Sequence, residues 1–227
     1  MINEEIRIFS LGESALTVEF GTTISENLNK KAIALAEHFF KNPFPGYIES
    51  VPAYASATIF FDPMTVRREF SDSETAFSAV SDLVQNALAT VDVYADGASR
   101  IVEIPVRFDL AAEFDLEFVA SSHKLSIDQV IDIFTSNVYR VYMLGFLPGF
   151  SYMGEVDERI ATPRKETPRT LVQAGSVGIA GQQTGIYSLT SPGGWQIIGQ
   201  TDVEMFTPNG DSPCYLQPGD RVTFTAI

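Results

Sequence analysis

The chain has 227 residues, with 29 Asp and Glu against 15 Lys and Arg, for a formal net charge of −14. No block of basic residues interrupts that acidity, so the chain repels a phosphate backbone, which makes DNA and RNA poor candidate partners. The 45% hydrophobic content, with 17 Phe and 8 Tyr, supplies a folded core, yet no run approaches the roughly 20 apolar residues of a membrane span.

The length fits one large domain or two small ones. Cys214 is the single cysteine, which rules out an intramolecular disulfide. The start MINEEIRIFS carries acids where a secretory signal has a basic patch and an apolar run, and a cytoplasmic, soluble protein is expected.

In chain order, EIRIF and SALTVEF read as strands around the turn LGES, the second alternating Leu16, Val18 and Phe20 with Thr17 and Glu19. From Ser25 to about Lys41, Leu28, Ala32, Leu35, Ala36 and Phe39 recur at helical spacing, with Ser25 placed to cap and Pro43 and Pro45 beyond the end. Strands YIESV and SATIFF follow, then an amphipathic helix in SDSETAFSAVSDLVQNAL built on Phe77, Val80, Val84 and Leu88. The order ββαββα predicts an antiparallel sheet covered by two helices. ADGAS, between the strand candidates VDVY and IVEIPVRF, is the expected boundary, giving domains 1–97 and 98–227.

After one helix that opens on the capping box Ser126 to Gln129, the second part is almost all strand and turn. YRVYML, TLVQ, SVGIA, GIYSL, WQIIGQ, CYL and RVTFTAI have the spacing of a barrel or sandwich. The fold class expected is α+β, an N-terminal antiparallel sheet with two helices followed by a mostly β barrel.

Residues 170–201 contain no Lys, Arg, Asp or Glu, whereas 32 residues at the chain's 19% charged content should hold about six. Fully buried strands are one explanation. Against it, Ser176, Gln182, Gln183, Thr184, Tyr187, Ser191 and Gln196 all need partners if buried, and seven of the 16 glycines lie in this window. Those features favour a pocket read by amides, hydroxyls and close backbone. Upstream, GFLPGFSYMG supplies Phe146, Pro148, Gly149 and Phe150 as candidates for a pocket or partner surface, joined by the turn Ser191, Pro192, Gly193, Gly194 and the lone Trp195. The pairs Pro163-Arg164 and Pro168-Arg169 project arginines from stiffened backbone, as a carboxylate or phosphate clamp or as a solvated loop.

Familiar catalytic signatures are missing: no Walker A loop, no GxGxxG after a strand, no HExxH. With only His38 and His123, a multi-histidine metal site within the chain is not expected. Ser151 and Ser176 each miss the GxSxG elbow by one position, and Cys214 reads as a quiet, partly buried thiol. No catalytic residue is assigned.

The run YRVYMLGFLPGFSYMG followed by PRKETPRTLVQAGSVGIAGQQTGIYSLTSPGGWQIIGQT resembles the signature of the KipI family, which includes the B subunit of 5-oxoprolinase and proteins called allophanate hydrolase subunit 1. LGESAL, VPAYASATIFFDP, VEIPVRFD and the closing Pro218-Gly219-Asp220 extend the resemblance along the chain. It implies a cyclophilin-like second domain and a non-autonomous subunit acting with a KipA-like subunit and a TIM-barrel-like subunit. The implied reaction is ATP-dependent opening of 5-oxoproline to glutamate, with Mg as the counter-ion of ATP and no resident metal site. A five-membered lactam is an unreactive amide, and phosphoryl transfer to its oxygen makes the carbon electrophilic. On this resemblance Arg164 and Arg169 would bind phosphate or substrate carboxylate, while Gln182, Gln183 and Thr184 would orient polar groups; Ser176 and Tyr187 complete the expected binding set. The family also contains an inhibitor of a sensor histidine kinase and urea or allophanate pathway subunits, and both remain alternatives. The resemblance further implies Asp at Glu13, Pro at Gln173 and Ser188, Arg at Gln200 and His near Phe134, all of which this sequence lacks.

Overall fold

The computed structural model describes residues 6–90, 99–108, 114–210 and 212–227. The strand candidate VDVY and nearly all of ADGAS lie outside the described residues. The chain divides into two units, Met1–Gly97 and Ala98–Ile227.

In the first unit, β1 (Arg7–Ser10) and β2 (Ala15–Glu19) pair antiparallel across the Gly12 turn. Helix α1 (Glu26–Lys41) buries the expected apolar face, together with Asn29, whose Nδ2 donates to the Ala53 carbonyl at 2.9 Å. Ser25 occupies the N-cap without a side-chain hydrogen bond, so its role there is conformational. Strands β3 (Tyr47–Pro52) and β4 (Ser56–Phe61) complete a four-stranded antiparallel sheet in the order β1-β2-β4-β3. Alternation in β4 sends Ala57, Ile59 and Phe61 inward onto Leu16, Val18, Leu35 and Phe39.

Among the described residues, three helices rather than two accompany this sheet. The additional one, α2 (Pro63–Glu69), starts where Asp62 accepts from the Met64 amide and Pro63 takes the first helical turn, a start that Asp-Pro favours. Helix α3 (Ala76–Thr90) begins at Ala76 and not at Ser71, because Thr75 and Ser78 exchange side-chain and backbone hydrogen bonds of 2.9 Å that fix its first turn.

The second unit opens with β5 (Ile101–Val106), followed by two short helices, α4 (Leu116–His123) and α5 (Ile127–Thr135). The capping box of α5 is present, Ser126 and Gln129 bonding reciprocally, whereas α4 was not expected from the sequence. Strands β6 (Val138–Leu144), β7 (Ser151–Gly154), β8 (Arg169–Val172), β9 (Ser176–Ala180), β10 (Gln183–Ile186), β11 (Ser191–Gly193), β12 (Gln196–Gln200) and β13 (Arg221–Ala226) follow. The GFLPGFSYMG segment thus contains β7, and CYL, expected as a strand, forms only an isolated bridge between Phe206 and Cys214 among the described residues.

Seven of these strands form one barrel-like sheet in the order β12-β9-β10-β7-β6-β13-β5. Its two ends meet through Arg107 and Gln200, whose backbones exchange hydrogen bonds of 2.8 and 2.9 Å. That approach requires Gly199: a Cβ there would lie 2.6 Å from Val106 Cγ1 and 2.9 Å from the Arg107 carbonyl oxygen. The expected α+β architecture with a barrel-like second part is what the chain adopts. Its core stacks Phe134 on Phe224, with centroids 4.8 Å apart, among Ile104, Val141, Val177 and Ile198. No helix among the described residues is long and apolar enough to cross a membrane.

Candidate functional site

The two-stranded sheet of β8 and β11 carries the Ser191 to Gly194 turn beside the loop that bears both Pro-Arg pairs. Proline limits this loop locally, and three bonds fix it in place: the Lys165 amide to the Gly194 carbonyl at 2.7 Å, Gln196 Nε2 to the Pro163 carbonyl at 2.9 Å, and Lys165 Nζ to Asp115 Oδ1 at 2.8 Å.

Below it lies an aromatic cluster centred on Phe150, which is 1% exposed. Tyr152, Tyr187 and Trp195 meet its ring at centroid distances of 4.8, 5.3 and 5.5 Å, all edge-on, and Phe146 does so at 5.5 Å. Only Phe146, at 60% exposed, reaches solvent substantially, so the apolar surface here is one ring and not a broad patch.

Between cluster and loop is a cavity of about 270 Å³, lined by these five aromatic residues, by Arg164, Lys165 and Pro168, and by Pro192, Gly193 and Gly194. The Arg164 guanidinium carbon stands 5.8 Å from the Trp195 ring centroid, and no carboxylate pairs with Arg164 among the described residues. Burial raises the Tyr152 and Tyr187 phenols above their ordinary value, against the opposing field of Arg164, so both stay protonated and can donate at neutral pH. Gly193 is obligatory, since a Cβ there would overlap the Tyr187 hydroxyl.

Asp115 ties this cavity to the barrel. Its Oδ1 accepts from Arg169 Nη2 at 2.7 Å as well as from Lys165, and its Oδ2 accepts from the Ile197 amide at 2.7 Å. Burial pushes this carboxyl upward, yet the bonds from Arg169, Lys165 and Ile197 outweigh burial and hold it below the ordinary carboxylate value.

The residues expected from the sequence separate into groups. Arg164, Tyr187, Phe146, Phe150, Pro192, Gly193, Gly194 and Trp195 meet around the first cavity. Arg169 and Ser176 line a different cavity, so the two arginines do not form one clamp. Gln182, Gln183 and Thr184 line neither: Gln182 is exposed near Glu158, Gln183 pairs along β10 with Gly154 and Ala180, and Thr184 donates from its buried hydroxyl to the Gly178 carbonyl at 2.9 Å. Ser191 is buried and bonds to the Pro192 carbonyl, while Pro148 and Gly149 form the turn before β7.

Asp115, Lys165 and Tyr152 were not singled out by the sequence. Asp115 sits at the N-cap of α4, where an Asp reads as a cap; its side chain makes no capping bond and turns to the cations instead. The first cavity has no carboxylate, imidazole or thiol among its described lining residues. With two cations and two protonated phenols it can hold and polarise a small anion, but it carries no evident nucleophile or base.

Residues 6–216 match the family described as the carboxyltransferase domain, subdomain C and D. The chain is 44% identical over 222 residues to the 5-oxoprolinase B subunit of Bacillus subtilis, covering 97% of this chain and 92% of that protein. It is 36% identical to the 5-oxoprolinase B subunit of Escherichia coli O157:H7, covering 97% of this chain and 96% of that one. The crystal structure of TTHA0988 superposes with a TM-score of 0.79 at 37% identity; it covers 98% of this chain, which spans only 40% of that longer chain. The chain belongs to the family of 5-oxoprolinase B subunits, within the carboxyltransferase domain subdomain C and D group.

Proposed function

We propose that this chain serves as the B subunit of an ATP-dependent 5-oxoprolinase, opening the 5-oxoproline ring to glutamate together with a KipA-like and a TIM-barrel-like subunit. The observation that carries this reading is the first cavity, where Arg164 stands over Trp195 with no carboxylate partner among the described residues, beside two phenols that remain donors. Arg164 binds the substrate carboxylate, Trp195 and Phe150 pack the ring, and Tyr152 or Tyr187 donates to the lactam oxygen. Lys165, held by Asp115, adds positive potential at the same wall.

A cavity of about 270 Å³ is smaller than the roughly 300–1,000 Å³ of drug-sized ligand sites, which suits a five-membered ring and not a whole nucleotide. ATP with its Mg is on this reading a co-substrate held mainly by the rest of the assembly. The missing base and nucleophile fit a subunit that does not turn over alone.

The test is phosphate release dependent on 5-oxoproline, measured with the KipA-like and TIM-barrel-like subunits in the presence and absence of this chain. Turnover only in the complete mixture is expected, with at least a roughly ten-fold loss for Arg164→Ala. Equal turnover without the chain overturns the reading.

A further inference from the structure

Two residues other than glycine take a positive φ among the described residues. Lys124, at 57°, closes α4, where a left-handed residue is ordinary. Phe146, at 66°, closes no helix. The Leu147 amide donates to the Gly145 carbonyl at 2.8 Å across it, so Phe146 is the centre of a γ-turn in its positive-φ form, which is rare and strained, most of all for a bulky residue.

Neighbouring bonds hold the strain in place. The Gly145 amide donates to the Phe150 carbonyl at 3.1 Å and the Phe150 amide to the Leu147 carbonyl at 3.0 Å, so the turn is closed on itself. It sets the Phe146 ring on the rim of the first cavity, edge-on to Phe150 and Tyr187 at centroid distances of 5.5 and 6.4 Å, with 60% of the residue still exposed. Core packing does not account for this arrangement, since a ring so exposed returns little burial for a conformation that glycine adopts without strain. Strain kept at the edge of a cavity is the pattern of a residue fixed in advance for a ligand, and the solvent-facing part of the ring is apolar surface for that ligand to cover.

We infer that Phe146 is a specificity-determining residue of the first cavity, one that selects a ligand with an apolar edge. The inference rests on the reading of that cavity as the 5-oxoproline site. With the carboxylate on Arg164 and the lactam oxygen on a phenol, the two ring methylenes are the part that remains, and the Phe146 ring covers them. A polar group at that edge loses its water and finds no strong hydrogen-bond partner on the ring, so a ligand of the same shape and charge but with N–H in place of a methylene is rejected.

The experiment uses the assembly of this chain with the KipA-like and TIM-barrel-like subunits. It compares 5-oxoproline as substrate with 2-oxoimidazolidine-4-carboxylate, the cyclic urea that replaces one methylene by N–H, as inhibitor. In the native assembly the inhibition constant of the urea should exceed the KM for 5-oxoproline by roughly ten-fold or more. Phe146→Gly should raise that KM roughly ten-fold, leave kcat little changed and bring the two constants close together, while Phe146→Leu, which restores an apolar wall, should keep the native preference. Phe146→Gly should also unfold at a higher temperature than Phe146→Ala, because both lack the ring and only glycine takes the positive φ freely. Failure of the native assembly to turn over 5-oxoproline overturns the reading of the site and this inference together. With the native assembly active, an unchanged preference in Phe146→Gly, loss of that variant from the assembly on gel filtration, or a Phe146→Ala chain as stable as Phe146→Gly overturns this inference alone.

Discussion

Arg169 donates to Asp115 at 2.7 Å across 54 positions of sequence, with side chains only 24% and 7% exposed. The same carboxylate oxygen holds Lys165, so one buried acid fixes a cation at each of two cavities. An arginine engaged in this way positions its surroundings, whereas the Arg164 guanidinium stands 5.8 Å from the Trp195 ring centroid with no carboxylate pairing to it among the described residues.

Asp115→Asn is therefore expected to destabilise the chain by about 2–3 kcal/mol. It removes the negative charge that two partly buried cations share and replaces the Oδ2 that accepts from the Ile197 amide, and the partial exposure of Lys165 keeps the loss below the roughly 3–5 kcal/mol of a fully buried pair. Urea unfolding at neutral pH, followed by circular dichroism, measures it. Arg164→Ala, at an exposed side chain, should change stability by less than about 0.5 kcal/mol in the same assay.

The same carboxyl sets an acid limit. Its folded-state pKa lies below the ordinary 3.8, so its contribution is fully present above the unfolded value and is lost as pH falls through that value toward the folded one. The stability difference between the native chain and Asp115→Asn should stay constant from about pH 7 to 5 and shrink below about pH 4. Urea midpoints of both proteins across this range check the sign; a difference that grows on acidification contradicts it.

Trp195 is the single tryptophan and forms a wall of the first cavity, so tryptophan emission, excited selectively over the tyrosines, reports on that cavity. Saturating 5-oxoproline should change the Trp195 emission, and Arg164→Ala should abolish the change by removing both the carboxylate contact and the cation over the ring.

Much of this arrangement is visible in the sequence because it follows from local periodicity and turn chemistry. The α1 face, the α5 capping box and most barrel strands are of that kind. Helices α2 and α4, of 7 and 8 residues, are too short for apolar periodicity to declare them, although Asp62-Pro63 was a usable start signal. The uncharged stretch 170–201 holds core residues such as Ile179 and Ile198 together with residues that line the two cavities. Position within it is another matter: alternation and barrel closure send Thr184 into the interior and Ser176 to a cavity, and neither outcome is written in composition. Asp115 is unreadable because its partners stand 50 and 54 residues away. The departures from the family pattern also divide on structural grounds. Phe134 is a core residue stacked on Phe224, while Gln173 and Gln200 both line the second cavity.

Adjacent glycines in the Ser191 to Trp195 turn offer a sharp contrast. A Cβ on Gly193 would overlap the Tyr187 hydroxyl and stand 2.7 Å from its Cζ, and Tyr187 is held among Phe150 and Phe146 with 1% exposure. Gly193→Ala must therefore push the phenol out of place or separate β11 from β8, at a cost of about 2–3 kcal/mol. A Cβ on Gly194 meets nothing closer than Pro168 Cγ at 3.6 Å, an ordinary contact, so Gly194→Ala should change stability by less than about 1 kcal/mol. Thermal unfolding and Trp195 emission measured on both variants separate the effects. Gly193→Ala is expected to lower the midpoint and to remove the 5-oxoproline response, because Tyr187 leaves the first cavity, whereas Gly194→Ala should keep both. Equal behaviour of the two variants would show that the close approach of Gly193 to Tyr187 does not shape that cavity.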